Sequence, residues 1–257
     1  MSLRATALTG AVLQGVDLLA QPGELLGVVG PNGSGKSTLL RLLAGLDRPR
    51  KGQVSWQSRA LATFSPSERA RTLAFLPQSP SVAFGFTARD VVLMGRTAHH
   101  PGAWETPADH AAADAALTEV GLAELARRSV ETLSGGERQR VFLALTLAQD
   151  TPCLLLDEPL TNLDPGHQMG LCEGLARRAH GGRTVLVVLH DLNLAAQFCD
   201  RLLLLVGGRA AALGAPREVL ASSALAAAYG VTAAVGTHPD GLRATYTALR
   251  RPASSRV

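Results

Sequence analysis

Residues 30–38 read Gly-Pro-Asn-Gly-Ser-Gly-Lys-Ser-Thr, a run that satisfies G-x-x-x-x-G-K-[ST] at every fixed position. Gly30, Gly33 and Gly35 give the backbone the freedom to turn tightly, so that successive N–H groups converge on an anion. The apolar residues 25–29 before the loop have the character of a strand, and residues 39–44 after it read as a helix. That helix, opening at Lys36, adds its positive dipole end to the same anion. In this setting the backbone of Asn32, Gly33, Ser34 and Gly35 surrounds phosphate oxygens and Lys36 reaches the β- and γ-phosphates. Ser37, followed by Thr38, offers a hydroxyl to Mg²⁺. A plain Gly/Ser-rich turn would need neither Lys36 nor Ser37 nor flanking elements in register. The loop implies a bound nucleoside triphosphate.

Two further strand ends carry acids and a histidine. Residues 153–159, Cys-Leu-Leu-Leu-Asp-Glu-Pro, are a wholly apolar strand that stops at two carboxylates, an odd ending for simple core. Asp157 at the strand end can hold Mg²⁺ through water, and Glu158, one step on, points toward the attacking water. Residues 184–189 form another buried strand, ending in His190. A helix and a parallel strand separate it from the acids, which places His190 on the same C-terminal edge as the phosphate loop.

A second candidate anion site lies at residues 133–140, Leu-Ser-Gly-Gly-Glu-Arg-Gln-Arg. Ser134 as N-cap with Glu137 three residues later accounts for those two residues, ahead of a helix over residues 141–148. It does not account for Gly135 and Gly136, and bare backbone at a helix start binds anions. Two such helix starts and one phosphate loop imply a triphosphate held between both.

The elements that must position these groups follow from the rest of the pattern. A chain of 257 residues with net charge +4 suits one large α/β domain with a substantial core. Its basic residues are scattered, without the run that marks a nucleic-acid arm. Cys153, Cys172 and Cys199 form no C-x-x-C and read as free thiols in a reducing cytosol. No signal peptide opens the chain and no apolar run approaches the roughly 18 residues of a membrane span. Residues 2–23 look like strands, residues 52–57 and 72–76 like further strands. Between 79 and 150 the character turns helical, with capping-box pairs Thr87 with Asp90 and Thr106 with Asp109, and Pro107 at a first helical position. His99, His100 and His110 fall in this insertion, but no Cys or carboxylate completes a metal-ligand spacing.

The phosphate loop, Gln78, residues 133–140, residues 154–158, Asp164 and His190 come in an order that resembles the ATP-binding-cassette ATPases. The Ser-Gly-Gly signature is specific to that superfamily among phosphate-loop proteins, and the resemblance covers residues 1 to about 235. It implies an α/β fold, a phosphate-loop NTPase core of mixed sheet at 1–85 and 151–215. A helical subdomain is inserted at 86–150 and a C-terminal extension covers 216–257. By resemblance, Ser37, Gln78 and Asp157 form the Mg²⁺ shell, Glu158 is the general base, and His190 is the switch on the γ-phosphate. Ser134, Gly135 and Gly136 resemble the signature that closes on ATP held by a second copy, in a head-to-tail dimer with Asp164 in the linking loop.

Residues 88–96, 166–168 and 189–195, with the tail at 214–220 and 229–231, narrow the likeness to ATPase subunits of metal-chelate importers. Those take up iron–siderophore complexes, haem or cobalamin, with a polytopic membrane permease as partner and a substrate-binding protein further out. The resemblance therefore implies ATP hydrolysis at the cytoplasmic face of the membrane, a peripheral location, and no nucleic-acid partner. Residues 79–86, with Val82, Phe84 and Phe86, are the expected permease-docking surface. Two other readings stand beside this one, a soluble cassette ATPase in DNA repair or translation and a nucleotide-gated clamp without turnover. Residues 79–133 are too few for a long coiled coil, and Glu158 with His190 speaks for turnover. One departure is plain. The aromatic that stacks on adenine in this superfamily, expected near Ala7, is missing, and Arg4 is the nearest substitute.

Overall fold

Buried strands with apolar residues on both faces dominate the chain, and they pack as two sheets with helices around them. The computed structural model describes residues 1–82, 85–99, 105–238 and 241–248. The first strands are β1 (Leu3–Thr9), β2 (Val16–Ala20) and β3 (Leu25–Val29), followed by helix α1 (Lys36–Leu43). Then come β4 (Lys51–Trp56), β5 (Arg59–Ala60), α2 (Pro66–Thr72) and β6 (Leu73–Leu76). The helical stretch holds α3 (Ala88–Met94), α4 (Pro107–Glu119) and α5 (Gly135–Ala148). The chain re-enters the sheet with β7 (Cys153–Leu156), α6 (Pro165–His180), β8 (Thr184–Val188), α7 (Leu192–Phe198), β9 (Arg201–Val206) and β10 (Arg209–Gly214). It closes with α8 (Pro216–Leu220), α9 (Ser223–Tyr229) and a hairpin of β11 (Val231–His238) and β12 (Gly241–Ala248).

The larger sheet has the order β10-β9-β3-β8-β7-β6, parallel except for β10, and the smaller is antiparallel, β2-β1-β4-β5. The mixed α/β architecture expected from the strand pattern is what the chain forms. Alternation in the parallel strands sends side chains to two separate cores. Leu26, Val28, Leu155, Leu186 and Leu203 meet α1 and the antiparallel sheet, whereas Leu25, Leu154, Val185 and Leu202 meet the helices of the other face. Among the described residues no helix is long and apolar enough to cross a membrane.

The helical stretch is anchored by its caps. Thr87 with Asp90, and Thr106 with Asp109, form the expected capping boxes, and Pro107 occupies the first turn of α4. Arg96 joins three helices: its Nε donates to Asp109 Oδ1 at 3.0 Å and Nη1 to the Ala148 carbonyl at 2.7 Å. The helix expected over 141–148 begins earlier, at Gly135, because Ser134 caps it directly. The cap at Ser65, closing on Glu68 with Pro66 in the first turn, starts α2, which buries no side chain and so leaves no apolar period in the sequence.

Residues 10–15 form a loop pressed against the β9–β10 turn. Gln14 N–H donates to the Gly208 carbonyl at 2.8 Å, and Gly208 N–H donates to the Ser34 carbonyl at 3.0 Å. Gly208 has φ 77°, and a Cβ there would stand 1.8 Å from the Val12 carbonyl oxygen. Gly208→Ala therefore combines a left-handed backbone with an overlap that only movement of the Val12 loop relieves. It is expected to cost at least about 2 kcal/mol. A lowered urea midpoint at unchanged m-value is the measurement.

Candidate nucleotide site

The phosphate loop begins where β3 runs out. Gly30 has φ 152°, and a Cβ on it would lie 2.1 Å from the Leu205 carbonyl oxygen, so the first loop position excludes any side chain. Gly35, at φ 102°, is the N-cap of α1 and supplies no side-chain acceptor to the first helical amides. Those amides are left for an anion. Lys36 is 5% exposed, and its Nζ donates to the carbonyls of Gly30 at 2.8 Å and Pro31 at 3.0 Å. Burial holds its ammonium below the ordinary lysine value, opposed by the charges of Glu158 and Asp157. The buried Ser34 Oγ has no hydrogen-bond partner among the described residues.

Strand β7, buried along its length, delivers the acids. Asp157 is 2% exposed, and its backbone N–H donates to the Leu76 carbonyl on neighbouring β6. Burial raises its carboxyl above the usual range, while a hydrogen bond with Ser37 draws it back. One oxygen, Oδ1, is buried without a partner. A hydroxyl beside a carboxylate with a spare acceptor fits a hard divalent cation that completes its shell with phosphate oxygens. Glu158 follows at φ 53°, a left-handed conformation rare for its type. Its Oε2 accepts from Gln78 Nε2 at 3.0 Å, and His190 Nε2 lies 2.6 Å from its Oε1.

These groups share one open cleft of about 640 Å³. Its walls include Asn32, Gly33, Gly35, Lys36, Ser37, Thr38, Gln78, Glu158 and His190. The signature residues are elsewhere. Ser134 Oγ accepts from Glu137 N–H at 3.3 Å and Ser134 N–H donates to Glu137 Oε2 at 2.8 Å, a complete capping box. Gly135 and Gly136 are the first residues of α5, outside the cleft walls. The expectation that both helix starts hold one triphosphate does not apply within a single copy. Packing also gives Gly136 a reason of its own, since a Cβ there would stand 2.5 Å from the Asn162 carbonyl oxygen. Asp164 caps α6, accepting from His167 N–H at 2.9 Å.

The lining of the cleft bears on the adenine expectation. Arg4 lines a different cavity, with Met1, Ser2 and Ser55, and Ala7 does not line the nucleotide cleft. The residue that does is Val12, 44% exposed, with a methyl 3.0 Å from where a Cβ on Gly35 would be. Leu13 beside it is buried and anchors the loop. Residues 10–15 read Gly-Ala-Val-Leu-Gln-Gly, and nothing local to Val12 sets it apart from Ala11 or Leu13 as a cleft residue. His99 gives its Nε2 to the Gln149 carbonyl, and His110 faces Glu105 at 3.4 Å. His100 and Phe84 lie outside the described residues. Among the described residues no three His, Cys, Asp or Glu side chains group as a metal site, and the three cysteines are free and buried.

A family model described as ABC transporter matches residues 13–161. The hemin import ATP-binding protein HmuV of Pseudomonas fluorescens is 48% identical over 234 residues, covering 89% of this chain and 91% of that protein. An inward-facing metal-chelate type ABC transporter superposes with a TM-score of 0.81 at 28% identity, over 96% of each chain. The dimeric bacterial ABC transporter cassette MJ0796 superposes with a TM-score of 0.77 at 27% identity, over 84% of this chain and 99% of that one.

An aliphatic wall in place of a ring removes base stacking, worth roughly 1–3 kcal/mol per base, on the order of 5- to 150-fold in affinity. Phosphate contacts do not distinguish bases, so ATP and GTP are expected to bind the wild type with similar affinity. Val12→Tyr should tighten ATP binding within that range. Titration of both proteins with both nucleotides decides it. A wild type that strongly prefers ATP and gains nothing from the ring would show that the base is read elsewhere.

Proposed function

We propose, from the premise that the chain belongs to the ABC transporter family, that it is the ATP-hydrolysing subunit of a metal-chelate importer. Among iron–siderophore complexes, haem and cobalamin, haem is favoured by the likeness to a hemin import protein over nearly the full length of both chains. The observation that carries the reading is the convergence of Lys36, Ser37, Glu158, Gln78 and His190 on one cleft at the ends of parallel strands, with Asp157 beside Ser37.

Each residue then has a task. The loop amides from Asn32 to Thr38 and the Lys36 ammonium hold the triphosphate and stabilise charge that develops as the γ-phosphate leaves. Lys36 must exchange its two carbonyl contacts for phosphate oxygens, and its burial makes that charge strongly felt. Ser37, Asp157 and Gln78 would hold Mg²⁺, which neutralises charge across the β- and γ-oxygens when bound. Glu158 orients the attacking water and takes its proton. Both of its oxygens are engaged, by Gln78 and His190; each keeps an acceptor site for the water, and release of either contact makes the carboxylate a stronger base. His190 turning toward the γ-phosphate frees Glu158 Oε1 and couples recognition of that phosphate to activation of the base.

The cleft is open, and its second wall is supplied by Ser134, Gly135 and Gly136 of another copy in a head-to-tail dimer. The dimeric cassette that superposes on this chain supports that reading. In this division residues 1–85 and 151–215 are the core and 86–150 the helical subdomain. The subdomain meets a polytopic permease at the cytoplasmic face of the membrane, with a substrate-binding protein engaging the far side. The half-exposed Phe86 borders two adjoining grooves, one with Leu93 and Met94 and one with Pro80 and Val82, that suit such a contact.

Glu158→Gln is expected to retain ATP binding and lose turnover by at least about 100-fold, since the amide cannot accept the proton. With ATP it should elute as a trapped dimer in size-exclusion chromatography. A variant that stays monomeric at saturating ATP while the wild type dimerises would sink the shared site. Phe86→Asp is expected to abolish transport in the reconstituted complex and leave hydrolysis by the subunit alone unchanged. Equal loss of both would make Phe86 structural.

A further inference from the structure

The described residues of 216–248 line no part of the cleft, yet they reach both of the elements that build it. Burial pushes the Tyr229 phenol, at the end of α9, above its ordinary value, opposed by the backbone of Gly30, the residue whose carbonyl receives Lys36. The hairpin meets the other element. Helix α7 starts two residues after His190 and is capped by Asp191, whose Oδ1 accepts from Asn193 N–H at 2.7 Å and Leu194 N–H at 3.1 Å. The Asn193 side chain leaves the helix altogether. Its Oδ1 accepts from the backbone N–H of Ala244, in β12, at 2.8 Å.

Strand β12 runs antiparallel along α7. Ala244 meets Asn193 at one end, and a Cβ on Gly241 would stand 3.4 Å from the Gln197 side chain at the other. Val231, Val235, Leu242 and Tyr246 pack inward with the buried Ala244. A two-stranded hairpin is marginal alone, so this contact folds the hairpin and the folded hairpin in turn braces the helix.

The His190 side chain is 49% exposed, and packing does not lock it. Its Nε2 reaches Glu158 Oε1 at 2.6 Å, and the backbone on either side sets whether it can do so. On one side Leu189 N–H donates to the Val28 carbonyl at 3.2 Å, within the sheet. On the other, a helix of two turns must be held in place from outside.

We infer that Asn193 is a positioning residue for the switch, tying the start of α7 to the C-terminal hairpin so that His190 is presented to Glu158 and to the γ-phosphate. The inference rests on the reading of His190 as that switch. It gives the extension a part in turnover, with no contact to nucleotide.

The test is steady-state ATP hydrolysis and ATP affinity of the full-length chain, for wild type, Asn193→Ala and Asn193→Asp. Loss of one hydrogen bond that orients His190 is expected to lower kcat about 2- to 10-fold in Asn193→Ala, with KM for ATP within about twofold. Asn193→Asp keeps an acceptor at the same reach and should restore kcat. If the wild type turns over and Asn193→Ala matches it, the inference falls and the site reading stands. Loss of kcat and affinity together, not rescued by Asn193→Asp, would make Asn193 a purely structural residue. A wild type without hydrolysis would bring down the site reading and this inference with it.

Discussion

Strands β3, β7 and β8 are apolar on both faces, and each face belongs to a different core. Polar chemistry on such strands has one place to go, the last residue or two before the chain leaves the sheet. Parallel pairing puts those ends on a common edge. Leu26 aligns with Leu186 and Leu154 with Val185, which puts Gly30 level with His190 and Asp157 level with Val188, two residues before it. The site follows from the register of the sheet, and a slip of one residue would turn each acid into the wrong core.

Desolvation then sets the character of the groups that emerge. Lys36 is buried beside two carboxylates, and Asp157 is buried with one oxygen unpartnered. Their values move in opposite senses, lysine down and aspartate up, because each pays for lost water. A triphosphate with a divalent cation provides the charges that reverse both shifts. The cleft is thus poised for a highly charged ligand, and the aliphatic Val12 at its far end has little to offer a base beyond contact.

Close backbone approach is the second constraint. Gly30 against Leu205, Gly208 against Val12 and Gly136 against Asn162 each leave no room for a methyl group. The first fixes the loop on the sheet, the second fixes the base wall on the loop, and the third seats the signature helix on the turn before Asp164. Asn162 and Glu158 themselves hold left-handed conformations, at φ 63° and φ 53°. Tight glycine contacts and strained non-glycine residues therefore share the segment between the acids and α6.

Local features are legible in the amino-acid order alone. Residues 30–38 specify a phosphate loop because its glycines, Lys36 and the helix start act within a few residues of one another. The capping boxes at Thr87, Thr106 and Ser134 are three-residue patterns for the same reason, and the strand-end positions of Asp157 and His190 follow from apolar runs that simply stop. The remainder depends on contacts between segments far apart in the chain. Val12 meets Gly35 because Gly208, nearly two hundred residues later, holds its loop, and that pairing leaves no periodic trace. Gln78, Glu158 and His190 come from three strand ends, and their distances depend on how those ends lie across the sheet. The hairpin of small and alternating residues at 231–248 carries too little apolar surface to declare itself in the sequence. It exists because α7 gives it a face to bury and a side-chain acceptor for its Ala244 amide.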